Sequence, residues 1–236
     1  MASLLRTTAG GEPDFRWRGR EISRSENLSD AVFGFAITLL VVATDVPRTF
    51  GELQQLLRGF VPFGICVLLF GLIWKAHYTF FRRFGLEDGT TMLLNAALLF
   101  VVVFFLYPLK FLATLLFDVA TGVPQRAASL ADADRLLVIY SAGYAAIFVL
   151  FALLYGHALR LREQLQLTAE EATIARLTRT LFLVHVGVAA GAAAVALVWN
   201  TGGLAGAIYF LIGPLSYGIE RRHARRRQRD PGAPGD

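Results

Sequence analysis

A charged and polar cluster sits at the mouth of an otherwise apolar stretch. Arg24-Ser-Glu26-Asn-Leu28-Ser29-Asp30 runs straight into Ala-Val-Phe33-Gly-Phe35-Ala-Ile-Thr38-Leu39-Leu40-Val-Val42. An ionisable side chain at the edge of a membrane helix is expensive, so it has a structural partner or a functional task. A second such group, Trp74-Lys75-Ala-His77-Tyr78, lies at the end of the next apolar run. If the two runs cross a bilayer in opposite directions, these ends meet at one depth. Ser29, Asp30, Trp74 and His77 then form a hydrogen-bond cluster that satisfies groups lipid cannot. Such a cluster clamps two helices or supports a conduction path, and spacing alone leaves both open. Arg24 and Asp30 lie about 240° apart around a helix axis, so each looks to a different neighbour. Thr38 is the only hydroxyl deep in the first run. A threonine there bonds back to a carbonyl one turn earlier, or presents its oxygen to an ion. Phe35, Thr38, Leu39 and Val42 share one stripe at i, i+3, i+4 and i+7. Core packing is the plainer reading of that stripe. In a run this apolar, periodicity does not say whether it faces lipid, protein or a pore.

Other chemistries lack their residues. There is no G-x-S-x-G, no H-E-x-x-H, no P-loop and no pair of membrane aspartates, so no enzyme is read. The potassium filter signature T-V-G-Y-G and an Arg-rich voltage-sensor helix are also missing. His77, His157 and His185 fall on separate runs without i, i+4 spacing, which argues against a resident metal. His157 is read as interfacial and His185 as a packing histidine. Cys66, the single cysteine, lies in an apolar run and reads as a small buried hydrophobe. No cofactor is implied.

Composition and charge place these residues in a membrane. Hydrophobic residues make up 55% of the 236, and mean hydropathy is +0.52, too much apolar surface for one soluble core. A bilayer crossing takes roughly 20 apolar residues. Six segments qualify: 29–46, 57–80, 91–117, 135–159, 180–199 and 203–219. The chain therefore reads as an all-α integral membrane protein with six transmembrane helices. Of its 23 Lys and Arg, seventeen fall on one side of that layout and five on the other, with Lys75 inside a span. The excess puts both termini in the cytoplasm of a multi-pass plasma-membrane protein. The pI of about 9.7 follows from the same flanking arginines. With no aromatic-interleaved basic patch, it does not point to nucleic acid. The first twenty residues lack an apolar h-region and read as no cleaved signal. The organisation is then a cytoplasmic segment over 1–22, a six-helix domain over 23–220, and a basic disordered tail over 221–236. That tail is a topogenic anchor that also has the charge to touch anionic lipid.

Several of these residues resemble a known family. Arg24-x-x-x-Leu28-Ser29-Asp30 resembles the R-x-x-x-F-S-D signature of the transmembrane protein 175 family, lysosomal and prokaryotic potassium channels. Phe33-Gly-Phe35-Ala-Ile-Thr38-Leu39-Leu40 looks like its F-A-I-x-x-T-L-L. Thr44-Asp45-Val46-Pro47 is similar to its helix ending, and Ile73-Trp74-x-x-His77 to its second-span W-x-x-H. Asn95 and Tyr107-Pro108 fit its third span. The likeness covers spans one to three by motif, and spans four to six by layout.

That resemblance implies a bacterial homotetramer whose first helices line a central pore, conducting potassium as a leak without the usual filter loop. Carried over by position, Phe35, Leu39 and Val42 would be apolar constriction rings and Thr38 a threonine layer. Arg24, Ser29, Asp30, Trp74 and His77 would brace the pore helix. Its partners would be potassium ions, its own copies and membrane lipid. The chain departs from the pattern at Leu28 for Phe, Phe35 for Ile or Leu, Val42 for Leu, and Tyr78 for a frequent second His. A ring of four phenylalanines implies a narrower path. The residues themselves leave open a proton or weakly selective cation channel of the same fold, and a small secondary transporter. No clear inverted repeat supports the latter, although Gly202-Gly203-x-x-Gly206 and Gly213-Pro214 interrupt the sixth span.

Overall fold

The protein is described from a computed structural model, over residues 14–19, 21–42, 46–122, 130–199 and 204–229. Every regular element is helical: α1 (Arg24–Val42), α2 (Phe50–Arg58), α3 (Phe60–Phe84), α4 (Gly89–Thr121), α5 (Leu130–Arg160), α6 (Ala169–Val198), a 3-10 helix (Leu204–Leu211) and α7 (Ile212–Arg229). Among the described residues, four segments are long and apolar enough to cross a membrane by length and composition: Phe50–Phe84, Gly89–Asp118, Asp132–Arg160 and Ala169–Val198. The chain is a multi-pass membrane protein.

Four of the six expected spans, the second to the fifth, correspond to these segments with different ends; the first and sixth fall on α1 and on the 3-10 helix with α7, which are not among them. The second does not begin at 57: a separate short helix, α2, precedes α3, and Gly59 divides them. The fifth starts at Ala169 rather than 180. There Thr168 accepts from the Glu171 N–H (3.1 Å) while the Glu171 carboxylate accepts from the Thr168 N–H (2.9 Å). This reciprocal cap satisfies two N–H groups that the helix leaves free and starts α6 before its apolar stretch. The sixth is a 3-10 turn continued by α7, and α7 stays helical to Arg229 where a disordered tail from 221 was expected. Thr44, Asp45, the 200–203 connection and 230–236 lie outside the described residues.

The α5–α6 pair is the most extensive, followed by α4–α5, and among the described helices α1 packs against α4 and α3 alone. Small side chains explain the first: Ala172, Ala175, Ala189, Ala192 and Ala196 are buried along one face of α6, and small residues let membrane helices approach closely. The core fills with aromatic rings, Phe33 against Phe70 and Phe80 and Phe84 against Tyr155, with centroids 5.1–5.4 Å apart. These edge and tilted contacts are the preferred ring geometry.

One end of the bundle is tied together by the segment before α1. Arg18 and Gly19 donate their N–H groups to the Arg82 carbonyl at 3.1 and 3.2 Å. The Arg18 guanidinium makes five hydrogen bonds: to the Leu165 and Gln166 carbonyls, to that of Arg16, and to both oxygens of Glu171 at 3.1 and 2.7 Å. Gly85 ends α3 with φ +58°, and a Cβ there would sit 2.9 Å from the Gly19 nitrogen. Both the left-handed backbone and the close approach require glycine. Gly85→Ala is expected to destabilise the detergent-solubilised protein by about 1–3 kcal/mol, read as a lowered Tm. An unchanged Tm would mean that the strap does not hold this end.

The turn into α4 is capped by Asp88. Its carboxylate accepts from the Thr90 and Thr91 N–H groups (3.0 and 3.3 Å) and the Thr91 hydroxyl (2.6 Å), and meets His157 Nε2 of α5 at 2.9 Å. His157 is thus a helix-to-helix tie rather than only an interfacial ring. Partial burial pushes the Asp88 carboxyl up, but the Thr91 hydroxyl, the Thr91 N–H and His157 outweigh it and hold the group below its ordinary value. Because the folded state lowers this pKa, the cap's contribution is complete above about pH 4 and is lost as pH falls through the depressed folded value. Asp88→Asn is expected to flatten the fall in Tm as the pH drops below about 5. An acid limb identical to that of the unaltered chain would exclude the carboxylate as its source.

Candidate permeation helix and its polar ties

The two faces of α1 differ. Glu26, Ser29, Phe33, Ala36 and Leu40 recur every three or four residues and are all buried. The opposite stripe holds Leu28, Phe35 and Thr38, all exposed, with Phe35 65% exposed. Leu39 lies between the faces and is half-buried, and the side chain of Val42 lies outside the described ones. The Thr38 hydroxyl donates to the Gly34 carbonyl at 3.0 Å. Its hydrogen is committed to the backbone, so what the side chain offers outward is oxygen lone pairs.

The packed face is held by polar ties, and they are not the single cluster expected. Asp30 Oδ1 accepts from the Trp74 indole N–H at 2.8 Å, at the outer edge of the α1–α3 seam. His77 is not its partner. His77 is fully buried and its Nε2 meets Asn95 Oδ1 of α4 at 2.8 Å. The Asn95 amide in turn donates to Ser29 Oγ (2.9 Å) and Ser25 Oγ (3.1 Å), while the Ser29 hydroxyl donates to the Ser25 carbonyl (2.8 Å). With both amide hydrogens spent on serines, the Asn95 oxygen accepts, and Nε2 carries the donated hydrogen. Asn95 is therefore the hub joining α1, α3 and α4. Arg24 joins neither tie: it is exposed and has no partner among the described residues of the chain.

A third tie went unrecognised in the sequence. Arg82 Nη2 donates to Glu26 Oε1 at 2.8 Å, with side chains 10% and 4% exposed, and Nη1 donates to the Gly19 carbonyl at 2.7 Å. The Ser23-x-x-Glu26 pattern is half a capping box. Ser23 Oγ accepts from the Glu26 N–H at 3.0 Å, while the Glu26 carboxylate turns to Arg82. An isolated buried carboxylate is far costlier than an unmade cap, so the ion pair takes it. The signal was a second basic residue close behind the Trp74–His77 group, absorbed in the count of flanking charge.

Comparison with known proteins bears on this arrangement. The family model for the endosomal/lysosomal potassium channel TMEM175 matches residues 24–105, from Arg24 to the middle of α4. A potassium channel of Marivirga tractuosa is 40% identical over 182 residues, 72% of this chain and 73% of that protein. The chain belongs to the TMEM175 family. A second relative, a potassium channel of Streptomyces collinus, is 30% identical over 59% of this chain and 66% of its own length. The crystal structure of a variant of the potassium channel MtTMEM175, bound to a nanobody–MBP fusion, superposes with a TM-score of 0.82 at 35% identity, covering 92% of this chain and 99% of that one. A homologue, from Chamaesiphon minutus, of the lysosomal potassium-selective channel TMEM175 gives a TM-score of 0.50 at 26% identity, over 84% of this chain and 96% of that one. The TMEM175 likeness thus extends beyond the motif-bearing helices to nearly the whole fold.

Proposed function

We propose that the chain is a potassium-selective leak channel, a homotetramer in the plasma membrane with α1 of each copy lining a central axis. The observation that carries this reading is the two-faced α1. One face is locked to α3 and α4 by buried side chains and three polar ties, while the other leaves Phe35 and Thr38 uncovered. A pore lined by one helix of each copy needs several chains around an axis. Phe35, Leu39 and Val42 would form the apolar constriction, which gates by dewetting, and Thr38 the hydroxyl layer beside it. Ser29, Asp30, Trp74 and His77 brace the helix from behind, with Asn95 between two of them. Arg24, exposed at the start of α1, is left to meet a neighbouring copy. The choice of potassium rests on the potassium channels among its relatives. Both termini are assigned to the cytoplasm by the excess of positive charge at that end.

Purified protein in liposomes is expected to pass potassium down its gradient, and to keep doing so against an opposing sodium gradient. Proton flux in place of potassium flux would favour the proton-conducting alternative. Saturable uptake coupled to a second ion would favour a transporter. Flux of neither kind would remove the channel reading.

A further inference from the structure

Lys110 lies about two-thirds of the way along α4, in a span dominated by Phe, Leu, Val and Ala. An ammonium there is costly unless something takes its hydrogens. Its Nζ donates to the Leu40 carbonyl of α1 at 2.9 Å. Leu40 belongs to the last turn of α1, whose final four carbonyls have no partner within the helix. Lys110 thus fills one of those acceptors and sets a positive charge beside the negative end of the α1 dipole. Leu40 is 4% exposed and sits on the packed face, so the lysine reaches α1 from behind, away from Phe35 and Thr38.

The distribution of ties along α1 gives this contact its weight. Glu26–Arg82, Ser29–Asn95 and Asp30–Trp74 all hold the first two turns. Among the described residues, Lys110–Leu40 is the only side-chain hydrogen bond from another helix to the rest of α1. The Thr38 hydroxyl bonds within its own helix and supplies no anchor. Pro108, inside α4 two residues before Lys110, removes a rung of the α4 ladder just where the two helices are joined.

We propose that Lys110 is a positioning residue for permeation: it fixes the outer end of α1, and so the spacing of the Thr38 layer from copy to copy. The inference rests on the reading that α1 lines the pore. A ring of hydroxyl oxygens discriminates between cations only at a set spacing, and without Lys110 the later turns of α1 are held by apolar packing alone, which is less directional than a hydrogen bond.

The test is a K110M variant, which keeps a side chain of similar bulk but no donor, beside K110R, which keeps donor and charge. Both are reconstituted into planar bilayers and read by the potassium-to-sodium permeability ratio and the unitary conductance. K110M is expected to lower the ratio by about threefold or more, the scale of residues that act without touching the ligand, while K110R stays near the unaltered channel. A purely structural lysine would change the number of channels recovered and move neither quantity. A normal ratio and conductance in K110M overturns the proposal. If K110M does not assemble, K110Q is read in the same way: a shifted ratio supports the proposal and a normal one overturns it. Failure of both to assemble also overturns it, by making Lys110 a folding requirement. Absence of potassium flux in the unaltered protein would instead remove the channel reading itself.

Discussion

Replacing Arg82 with methionine is expected to be among the most damaging single changes in this chain, costing about 3–5 kcal/mol of stability. The guanidinium bonds Glu26 at 2.8 Å and the Gly19 carbonyl at 2.7 Å, and lies over the Tyr78 ring at 5.3 Å. Its loss strands the Glu26 carboxylate, whose side chain is 4% exposed, without a counter-charge. It also cuts the link between the strap, the first turn of α1 and the end of α3. Arg82→Lys keeps the charge but not a planar fork able to reach two acceptors at once, so only partial recovery is expected. Glu26→Gln combined with Arg82→Met removes both charges. The double variant is therefore expected to be less destabilised than the two single losses added together, the mark of coupled partners. The readouts are Tm and the fraction recovered as a folded assembly in detergent. A Tm for Arg82→Met equal to that of the unaltered chain would show that the pair does not hold this end.

That pair also marks how far the sequence could be read. The apolar runs located four segments that length and composition mark as able to cross a membrane, because lipid demands long runs with every backbone group bonded internally. Hydropathy placed helix ends poorly. The Thr168/Glu171 cap begins α6 eleven residues ahead of the expected start at 180, since a helix continues into water once its first N–H groups are satisfied. Ser29, Asp30, Trp74 and His77 were recognisable as polar groups that needed partners inside a membrane. Their pairing was not recognisable, because it depends on helix rotation. Asp30 turns to Trp74, and His77 turns to Asn95, an amide that spacing along one helix cannot assign. Glu26 and Arg82 each had a local role at hand, as a cap residue and a flanking charge. A contact across 56 residues is invisible to local pattern.

The second large effect is on permeation, and it separates the two surfaces Phe35 can face. Its ring is 65% exposed, so Phe35→Ala removes little packing within the chain. If four such rings meet on the axis, they exclude water from the narrowest point, and a crossing ion must shed hydration with no oxygen offered in return. Desolvating an ion without compensation costs many kcal/mol. Phe35→Ala is then expected to widen and wet the constriction, raising flux by an order of magnitude, about 1.4 kcal/mol of barrier, and lowering the preference for potassium. Thr38→Ala acts on chemistry rather than width. The hydroxyl hydrogen is held by the Gly34 carbonyl, so the change removes outward lone pairs and leaves the bore open. Selectivity falls while conduction persists. If Phe35 faces lipid, truncation to alanine exchanges one apolar surface for another, and both flux and selectivity stay as they were. If it seals a contact between copies, the assembly weakens and flux per intact channel does not change. Flux, potassium-to-sodium ratio and assembly size measured on both variants distinguish these outcomes. Unchanged flux and ratio per intact channel in Phe35→Ala would take Phe35 off the axis and leave Thr38 to be judged alone.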